Sequence, residues 1–391
     1  MSDAAAIATR AAARLGEREA AGLRRVVREV ERAEGVHLRI DGRDLVSFAS
    51  NDYLGLAQHP EVVRAMQEAA NRWGVGSTAA HLLGGHRGPH ARLEREVAEW
   101  LGYEAGLLFS TGYLANLGVL AGLLQDGDVC VQDKLNHACL IDGAKLAGCA
   151  LRRYPHNDVD AAARQLDAAG DAPTLLATDG VFSMDGDLAP LPELARLARD
   201  RGALLFVDDA HGFGVLGPDG QGSPEHCGLG ARDVPLRMVT LGKAVGCGGA
   251  LVLGPRELID ALVQFARPFV YTTALPPALA AAASAAIQVL RREPQRRAHL
   301  QALVARFRAG ASRLGYALMD SVTPIQPLRI GEAGAAVALS QALMQRGWYV
   351  PAIRPPTVPA GSARLRVTLS AAHAEAQVDG LLEALEQARP A

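Results

Sequence analysis

The sequence predicts an α/β protein with a mostly parallel seven-stranded sheet containing one antiparallel strand, followed by a smaller α+β C-terminal domain. Three observations carry that expectation. From about residue 60, short apolar runs alternate with helical patterns, as in a sheet covered by helices on both faces. Seven of those runs read as strands. Two of them, RMVTL (237–241) and GALVLG (249–254), are joined by a Gly-rich link too short for a parallel crossover, so they are expected as antiparallel neighbours.

Each element has its own signal. Residues 3–33 are rich in Ala, Arg and Glu and read as one helix. VHLRI, the turn DGRD and LVSFAS read as a hairpin, because Asp-Gly between alternating apolar residues suits a tight turn. The remaining strand-like runs are AGLLFS (105–110), DVCVQ (128–132), ALRRY (150–154), TLLATD (174–179) and ALLFVDD (203–209). Helical patterns cover 61–72, 90–101, 113–124, 138–147, 158–169 and 191–201. A long helix over 277–292 leads to the smaller domain: helix 295–313, strand 325–330, helix 333–346, strand 364–369 and helix 373–388. The Pro/Gly-rich stretch 351–362 reads as a loop. The expected divisions are 1–50 for the N-terminal helix and hairpin, 51–289 for the large α/β domain and 290–391 for the C-terminal domain.

Composition narrows the function. The chain has 391 residues, 49% of them hydrophobic, enough for a sizeable core. Forty basic against 42 acidic residues give a formal net charge of −2. With no basic block there is no electrostatic preference for nucleic acid or an anionic membrane. The arginines from Arg24 to Arg32 alternate with Glu29 and Glu31, a solvated pattern. The five cysteines (Cys130, Cys139, Cys149, Cys227, Cys247) form no CxxC pair and read as reduced thiols. The N-terminal stretch is charged throughout, without an apolar signal core, so a cytoplasmic location is expected. The run Tyr271 to Leu290 is apolar, but its alanines, two prolines and Ser284 suit a buried soluble helix rather than a membrane span.

Three segments carry chemistry. In LLFVDDAHGFG, strand alternation puts Leu204, Phe206 and Asp208 on one face and Leu205, Val207 and Asp209 on the other. Only one aspartate can therefore face a given ligand. With His211 three residues after Asp208, charge sits at the carboxyl edge of a parallel sheet, where ligands bind. In isolation, a capping Asp and a loop His explain the segment equally well. The Gly212-x-Gly214-x-x-Gly217 pattern is not a dinucleotide site, because the PDGQGSPEHCG that follows is not expected to form a helix. In TLGKAVGCGG, Lys243 lies among glycines just after an apolar strand. Thr240 and the Gly-rich backbone offer donors to a phosphate, and a desolvated amine is what Schiff-base chemistry needs. In LLFSTGYLANLGVL, a strand runs into Ser110-Thr111-Gly112-Tyr113 and a helix, a ready anion site or an ordinary N-cap. His137 in LNHACLIDG and Ser183 in DGVFSMDGD follow. His81, His86 and His90 invite a metal reading, but Pro89 and the surrounding glycines spoil a helical ligand face, so no metal is expected.

Together these segments resemble the fold-type I pyridoxal-phosphate (PLP) enzymes, and within them the α-oxoamine synthases. The resemblance covers nearly the whole chain: SNDYLGL (50–56), HRGPHARLE (86–94), FSTGYLAN (109–116), NHACLIDG (136–143), GVFSMDGD (180–187), VDDAHGFGVLG (207–217), TLGKAVG (240–246), YTTALPP (271–277), IRPPTVP (353–359) and ARLRVTLS (363–370). It implies a PLP-dependent acyltransferase and a homodimer with its active site at the subunit interface. It implies Lys243 as the residue bonded to the cofactor, Asp208 at the pyridine nitrogen, His211 at the ring hydroxyl and His137 stacked on the ring. Gly112, Tyr113, Ser183 and Thr240 would help hold the cofactor, and Thr272 or Thr273 would reach its phosphate across the interface. Arg366 would bind the amino-acid carboxylate, with Arg24, Asn51 and Thr357 also at the substrate. The departures are small: Tyr113 where Phe is frequent, Cys139 where Ser is frequent, and an unusual Cys247-Gly248.

The branch most resembled condenses L-alanine with a pimeloyl thioester, carried by coenzyme A or acyl carrier protein, in biotin synthesis. Other α-oxoamine synthases (glycine C-acetyltransferase, 5-aminolevulinate synthase, serine palmitoyltransferase) and a non-catalytic PLP-fold binding protein are the alternatives. SNDYLGL and IRPPTVP favour the first. The intact Lys243, Asp208 and His137 disfavour the last.

Overall fold

A computed structural model describes residues 3–388. Its strands are β1 (Val30–Glu34), β2 (His37–Ile40), β3 (Arg43–Ser47), β4 (Ala105–Phe109), β5 (Val129–Asp133), β6 (Ala150–Tyr154), β7 (Thr174–Asp179), β8 (Leu204–Asp208), β9 (Leu236–Thr240), β10 (Ala250–Gly254), β11 (Ala317–Leu318), β12 (Ile325–Gly331), β13 (Trp348–Tyr349), β14 (Ala352–Ile353) and β15 (Ala363–Thr368).

The central sheet has seven strands in the order β4-β10-β9-β8-β7-β5-β6. The pairs β5/β6, β5/β7, β7/β8 and β8/β9 are parallel. Strand β10 runs antiparallel to both β4 and β9, as the short 241–249 link requires. Side chains along each strand alternate between two covers, the period-2 rule for a sheet buried on both faces. Leu107, Phe109, Leu175, Ala177, Phe206 and Met238 pack into one apolar cluster, with residues of the helices Gly112–Leu123, Ala138–Ala147 and Arg256–Phe265. Leu108, Val239, Leu251 and Leu253 point the other way, onto the helices Gly88–Leu101 and Pro277–Arg292. Val131, Leu176, Leu205 and Val207 do the same against Val159–Asp167 and Leu191–Asp200.

A second sheet, β11-β12-β15-β14, is antiparallel and lies with the helices Gln295–Arg313, Ala333–Gln345 and Glu375–Gln387. A third, β1-β2-β3-β13, joins the N-terminal hairpin to β13 far down the chain, through a parallel β3/β13 pair. Between β2 and β3, Asp41 (φ 51°) and Gly42 (φ 71°) both have positive φ, the type I′ geometry that suits a two-residue hairpin.

The single helix expected over 3–33 is corrected. The helix covers Asp3–Ala20 and stops at Gly22, whose φ of 65° is left-handed. Residues 30–34 are strand β1. Their helix-favouring composition is overridden by pairing with β2 across a turn at Gly35 (φ 57°), with Arg39 joined to Glu31 and Asp44 as cross-strand ion pairs. Within PDGQGSPEHCG, Ser223–His226 forms one helical turn that the sequence reading excluded. It does not begin at the GxGxxG. Those glycines serve packing: a Cβ on Gly212 would come within 2.1 Å of Ser223 Oγ and 2.2 Å of Asp209 Oδ1, and one on Gly214 within 2.7 Å of Ala244. Among the described residues, no helix is long and apolar enough to cross a membrane.

Candidate active site

Four adjacent parallel strands end in a polar residue: β5 in Asp133, β7 in Asp179, β8 in Asp208 and β9 in Thr240. This carboxyl edge borders a cavity of about 190 Å³, lined by Gly112, Tyr113, Asn116, His137, Cys139, Asp179, Val181, Ser183, Asp208, Ala210, His211, Met238, Thr240 and Lys243. Strand alternation separates the two neighbouring aspartates. Asp208 faces the cavity. Asp209 is fully buried on the opposite side, in a salt bridge to buried Arg237 and a hydrogen bond from Ser223 Oγ.

Lys243 enters from the turn between β9 and β10. Leu241 N–H donates to Gly249 O (2.9 Å) and Cys247 N–H to Leu241 O (2.8 Å), closing that turn. Burial pushes the Lys243 pKa down to about 8, although Asp208 and Asp179 pull it up. Its Nζ lies 2.8 Å from His211 Nε2, and His211 Nδ1 lies 2.6 Å from Tyr53 Oη. Burial holds His211 well below its ordinary pKa, reinforced by the charges of Lys243 and Arg366. The neutral ring then accepts from the Lys243 ammonium at Nε2 and donates its Nδ1–H to Tyr53 Oη, whose own hydroxyl donates to Asn51 Oδ1.

Asp208 is oriented by donors on both oxygens: Ala210 N–H to Oδ1 (3.0 Å) and Asn116 Nδ2 to Oδ2 (2.6 Å). The Asn116 amide also donates to Cys139 Sγ (2.9 Å). His137 N-caps the helix Ala138–Ala147, and its Nδ1 accepts from Cys139 N–H (3.3 Å) and lies 2.8 Å from Cys139 Sγ. Burial lowers the His137 pKa. With Nδ1 accepting, the neutral ring holds its proton on Nε2. The His137 N–H donates to Asp179 Oδ2 (3.1 Å). Asp179 titrates well above the usual carboxylate range, because it is buried and because Asp208 is close by.

Thr111 is the N-cap of the helix Gly112–Leu123, accepting from Leu114 N–H at 3.2 Å. Gly112 and Tyr113, the helix's first two residues, line the cavity, and their N–H groups have no carbonyl partner within the helix. A helix start beside Thr240 is a setting for a phosphate. The rest of the cavity suits a pyridine aldehyde as well. A partly buried amine of lowered pKa lines it together with Asp208. Asn116 Oδ1 and Asp179 Oδ1 are buried in its wall without hydrogen-bond partners, and a cationic ring nitrogen at Asp208 would offset two neighbouring carboxylates.

The structure thus gathers Gly112, Tyr113, His137, Ser183, Asp208, His211, Thr240 and Lys243 around one cavity. Asn51 stands behind it, 3.3 Å from Tyr53 Oη. Arg366, buried on β15, touches the wall through Ser183, whose carbonyl accepts from its Nε (2.7 Å). Arg24, Thr357 and Thr272 are not among the lining residues. Arg24 is exposed and pairs with Glu19 (2.8 Å), and Thr357 accepts from Arg25 (3.1 Å). Thr272 adjoins Thr273, which bridges to Ala80. Sequence reasoning missed Tyr53, Asn116 and Asp179. Asn116 lies one helical turn after Gly112, and Asp179, like Asp208, ends an apolar strand, so both signals were present. The structure also clusters His81, His86 and His90, with ring centroids 5.2–5.6 Å apart, which the loop-like spacing did not suggest. Both His90 ring nitrogens are engaged, by Arg87 N–H and Leu275 O.

Comparison with known proteins agrees with this geometry. The aminotransferase class I and II family matches residues 43–385. An 8-amino-7-oxononanoate synthase of Pseudomonas putida (strain GB-1) is 57% identical over 380 residues, 97% of each chain. One from Xanthomonas axonopodis pv. citri is 58% identical over 366 residues, 93% of this chain and 91% of that one. A serine palmitoyltransferase from S. paucimobilis, solved with bound PLP, superimposes with a TM-score of 0.91 at 29% identity over 96% of each chain. On these matches the chain belongs to the aminotransferase class I and II family and, within it, to the 8-amino-7-oxononanoate synthases.

Proposed function

We propose that the chain is a PLP-dependent C-acyltransferase that joins L-alanine to a pimeloyl thioester, releasing carbon dioxide and the thiol carrier, coenzyme A or acyl carrier protein. The observation that carries this reading is that the buried Lys243 amine and Asp208 line one cavity at the sheet edge, close enough for the carboxylate to act on the amine. When bound, the cofactor supplies a ring that spreads negative charge from the amino acid's α-carbon. Lys243 would hold it covalently, and its amine, when free and neutral, could take the α-proton. Asp208, fixed by Asn116 and Ala210, would keep a proton on the ring nitrogen. The imidazole of His211, steadied by Tyr53, would meet the ring hydroxyl. His137 would pack against the ring and offer its Nε2–H to the substrate carbonyl oxygen. Gly112, Tyr113 and Thr240 would hold the phosphate, Ser183 would lie beside the ring, and Arg366 would pair with the alanine carboxylate. Arg24, Asn51 and Thr357 serve the substrate side.

The working unit is a homodimer in the cytoplasm. Val75, Leu82, Leu83 and Tyr271 expose 88, 54, 79 and 72% of their surface, apolar area that a second copy would cover, and Thr272, next to Tyr271 in the chain, would reach the partner's phosphate. The test has two parts. Purified protein should show a visible PLP band that borohydride fixes on the Lys243 peptide. Alanine, glycine or serine with pimeloyl, acetyl, succinyl or palmitoyl thioesters should release carbon dioxide fastest for alanine with pimeloyl. Preference for glycine with acetyl or succinyl would overturn the substrate assignment.

A further inference from the structure

His156 has no part in the roles above, yet it sits between two segments that border the cavity. Its Nδ1 is 3.2 Å from both Asp133 carboxylate oxygens, and its Nε2 is 2.7 Å from Asp187 Oδ2. The ring stands edge-on to Phe182, centroids 4.4 Å apart at 89°. Next to it, Asn157 (φ 56°) donates its N–H to Asp133 Oδ2 (2.7 Å) and its Nδ2 to Asp187 Oδ2 (3.0 Å) and Leu188 O (3.1 Å).

The two carboxylates belong to different loops. Asp133 ends β5 and opens the loop to His137: its Oδ1 accepts from Leu135 N–H (2.7 Å) and its carbonyl from Asn136 N–H (3.3 Å). Asp187 closes the turn that carries Ser183, its carbonyl accepting from Phe182 N–H (3.0 Å), while Gly186 N–H donates to Phe182 O (2.7 Å). From the other side that turn is held by Arg366 on Ser183 O (2.7 Å) and Arg364 on Met184 O (3.3 Å). With a carboxylate at each ring nitrogen, both nitrogens donate and the ring is an imidazolium. It also supplies the countercharge that Asp133, fully buried, needs. Burial pushes the His156 pKa down, but the hydrogen bonds to Asp133 and Asp187 outweigh it and lift the value to about 10.

We propose that His156 is a positioning residue: by bridging Asp133 and Asp187 it sets the spacing between His137 and Ser183 across the cavity. The inference rests on the reading that these two side chains meet cofactor and substrate.

The test uses the PLP-loaded protein and the variants His156→Gln, Asp187→Asn, their double variant and His156→Arg. Bound PLP, its visible circular dichroism, and kcat and KM for alanine are measured for each. A glutamine amide at position 156 can satisfy one carboxylate but not both, and an amide at position 187 keeps an acceptor oxygen but removes the charge that holds the imidazolium there. His156→Gln and Asp187→Asn should therefore keep stoichiometric PLP, change its circular dichroism, and lose about ten- to a hundredfold in kcat, the scale of a slightly misplaced reacting group. The double variant should lose no more than about twofold beyond the weaker single, because both changes break one bridge. Arginine, whose planar fork can span two carboxylates, should recover part of the loss. If His156→Gln does not fold, Asp187→Asn decides, since it leaves the buried Asp133–His156 pair in place. The inference is overturned if a folded single variant keeps the wild-type circular dichroism and a kcat within about twofold, or if the two losses multiply in the double variant. Wild-type protein without a visible PLP band would sink the cofactor reading itself, whereas a normal band with indifferent variants would sink only the bridge.

Discussion

At the cavity floor, Asp179, Asp208 and Thr240 each end a strand of one continuous sheet, so their spacing follows from the ~4.8 Å between neighbouring strands. At the N-terminal side the arrangement is different. Arg24 and Thr357 are exposed, on segments joined by side chains: Arg354 donates to the carbonyls of Gly22 and Arg24, and Arg25 to Thr357. The floor is placed by backbone pairing and holds in the chain alone. The outer segment depends on exposed arginines, individually weak contacts, and is suited to adjust when substrate arrives. The floor should therefore answer substitution in chemistry and the outer segment in binding.

The largest effect expected is at Lys243. Lys243→Ala should cut turnover by at least about a thousandfold while the far-ultraviolet circular dichroism stays native, because in the proposed mechanism the amine both holds the cofactor and moves the proton. Near-normal turnover would break the comparison at its strongest point. Next come the two adjacent aspartates. Asp208→Asn should lower kcat on the order of a hundredfold, by removing the charge proposed to keep the ring nitrogen protonated, with little change in melting temperature. Asp209→Asn should do the reverse. It leaves buried Arg237 without its countercharge, so chemical denaturation should reveal a loss of about 3–5 kcal/mol, while the protein that stays folded keeps its kcat. Equal behaviour of the two variants would refute the division of roles by strand face.

Smaller still is the effect of pH on cofactor capture. The Lys243 amine is charged below about 8 and neutral above it, so cofactor-free protein should bind PLP faster as pH rises through that value and level off beyond it. A rate independent of pH between about 7 and 9 would show that the amine is not in the rate-limiting step. The smallest effect belongs to the outer segment: Arg24→Ala and Thr357→Ala should raise KM for the thioester by only about two- to tenfold, with kcat nearly unchanged, as for losing one exposed charge or hydroxyl contact. A kcat collapse there would place these side chains at the reacting atoms.

Much of this architecture was legible in the sequence, because buried parallel strands are short apolar runs bounded by turn residues. The seven central strands begin and end within one residue of their expected limits, and the helices 277–292 and 295–313 match in full. Strand β1 was misread because nothing in VERAE distinguishes an exposed edge strand from a helix; its partner decides. The two-residue strands β13 and β14 are too short for any periodicity. The same division runs through the site. Lys243, Asp208 and His211 announce themselves by ending a strand or sitting in its glycine turn. Asn116, Tyr53 and His156 act through another side chain, and a hydrogen bond across 92 or 158 positions leaves no local pattern.

The reversed direction of β10 has a mechanical result. Because it returns beside β9, the turn bearing Lys243 is anchored at both stems by two fully buried strands. With both stems paired, most of the amine's travel must come from rotation about its own four methylenes. The amine is a short tether on a post paired at both stems, and every partner it meets must come within that radius.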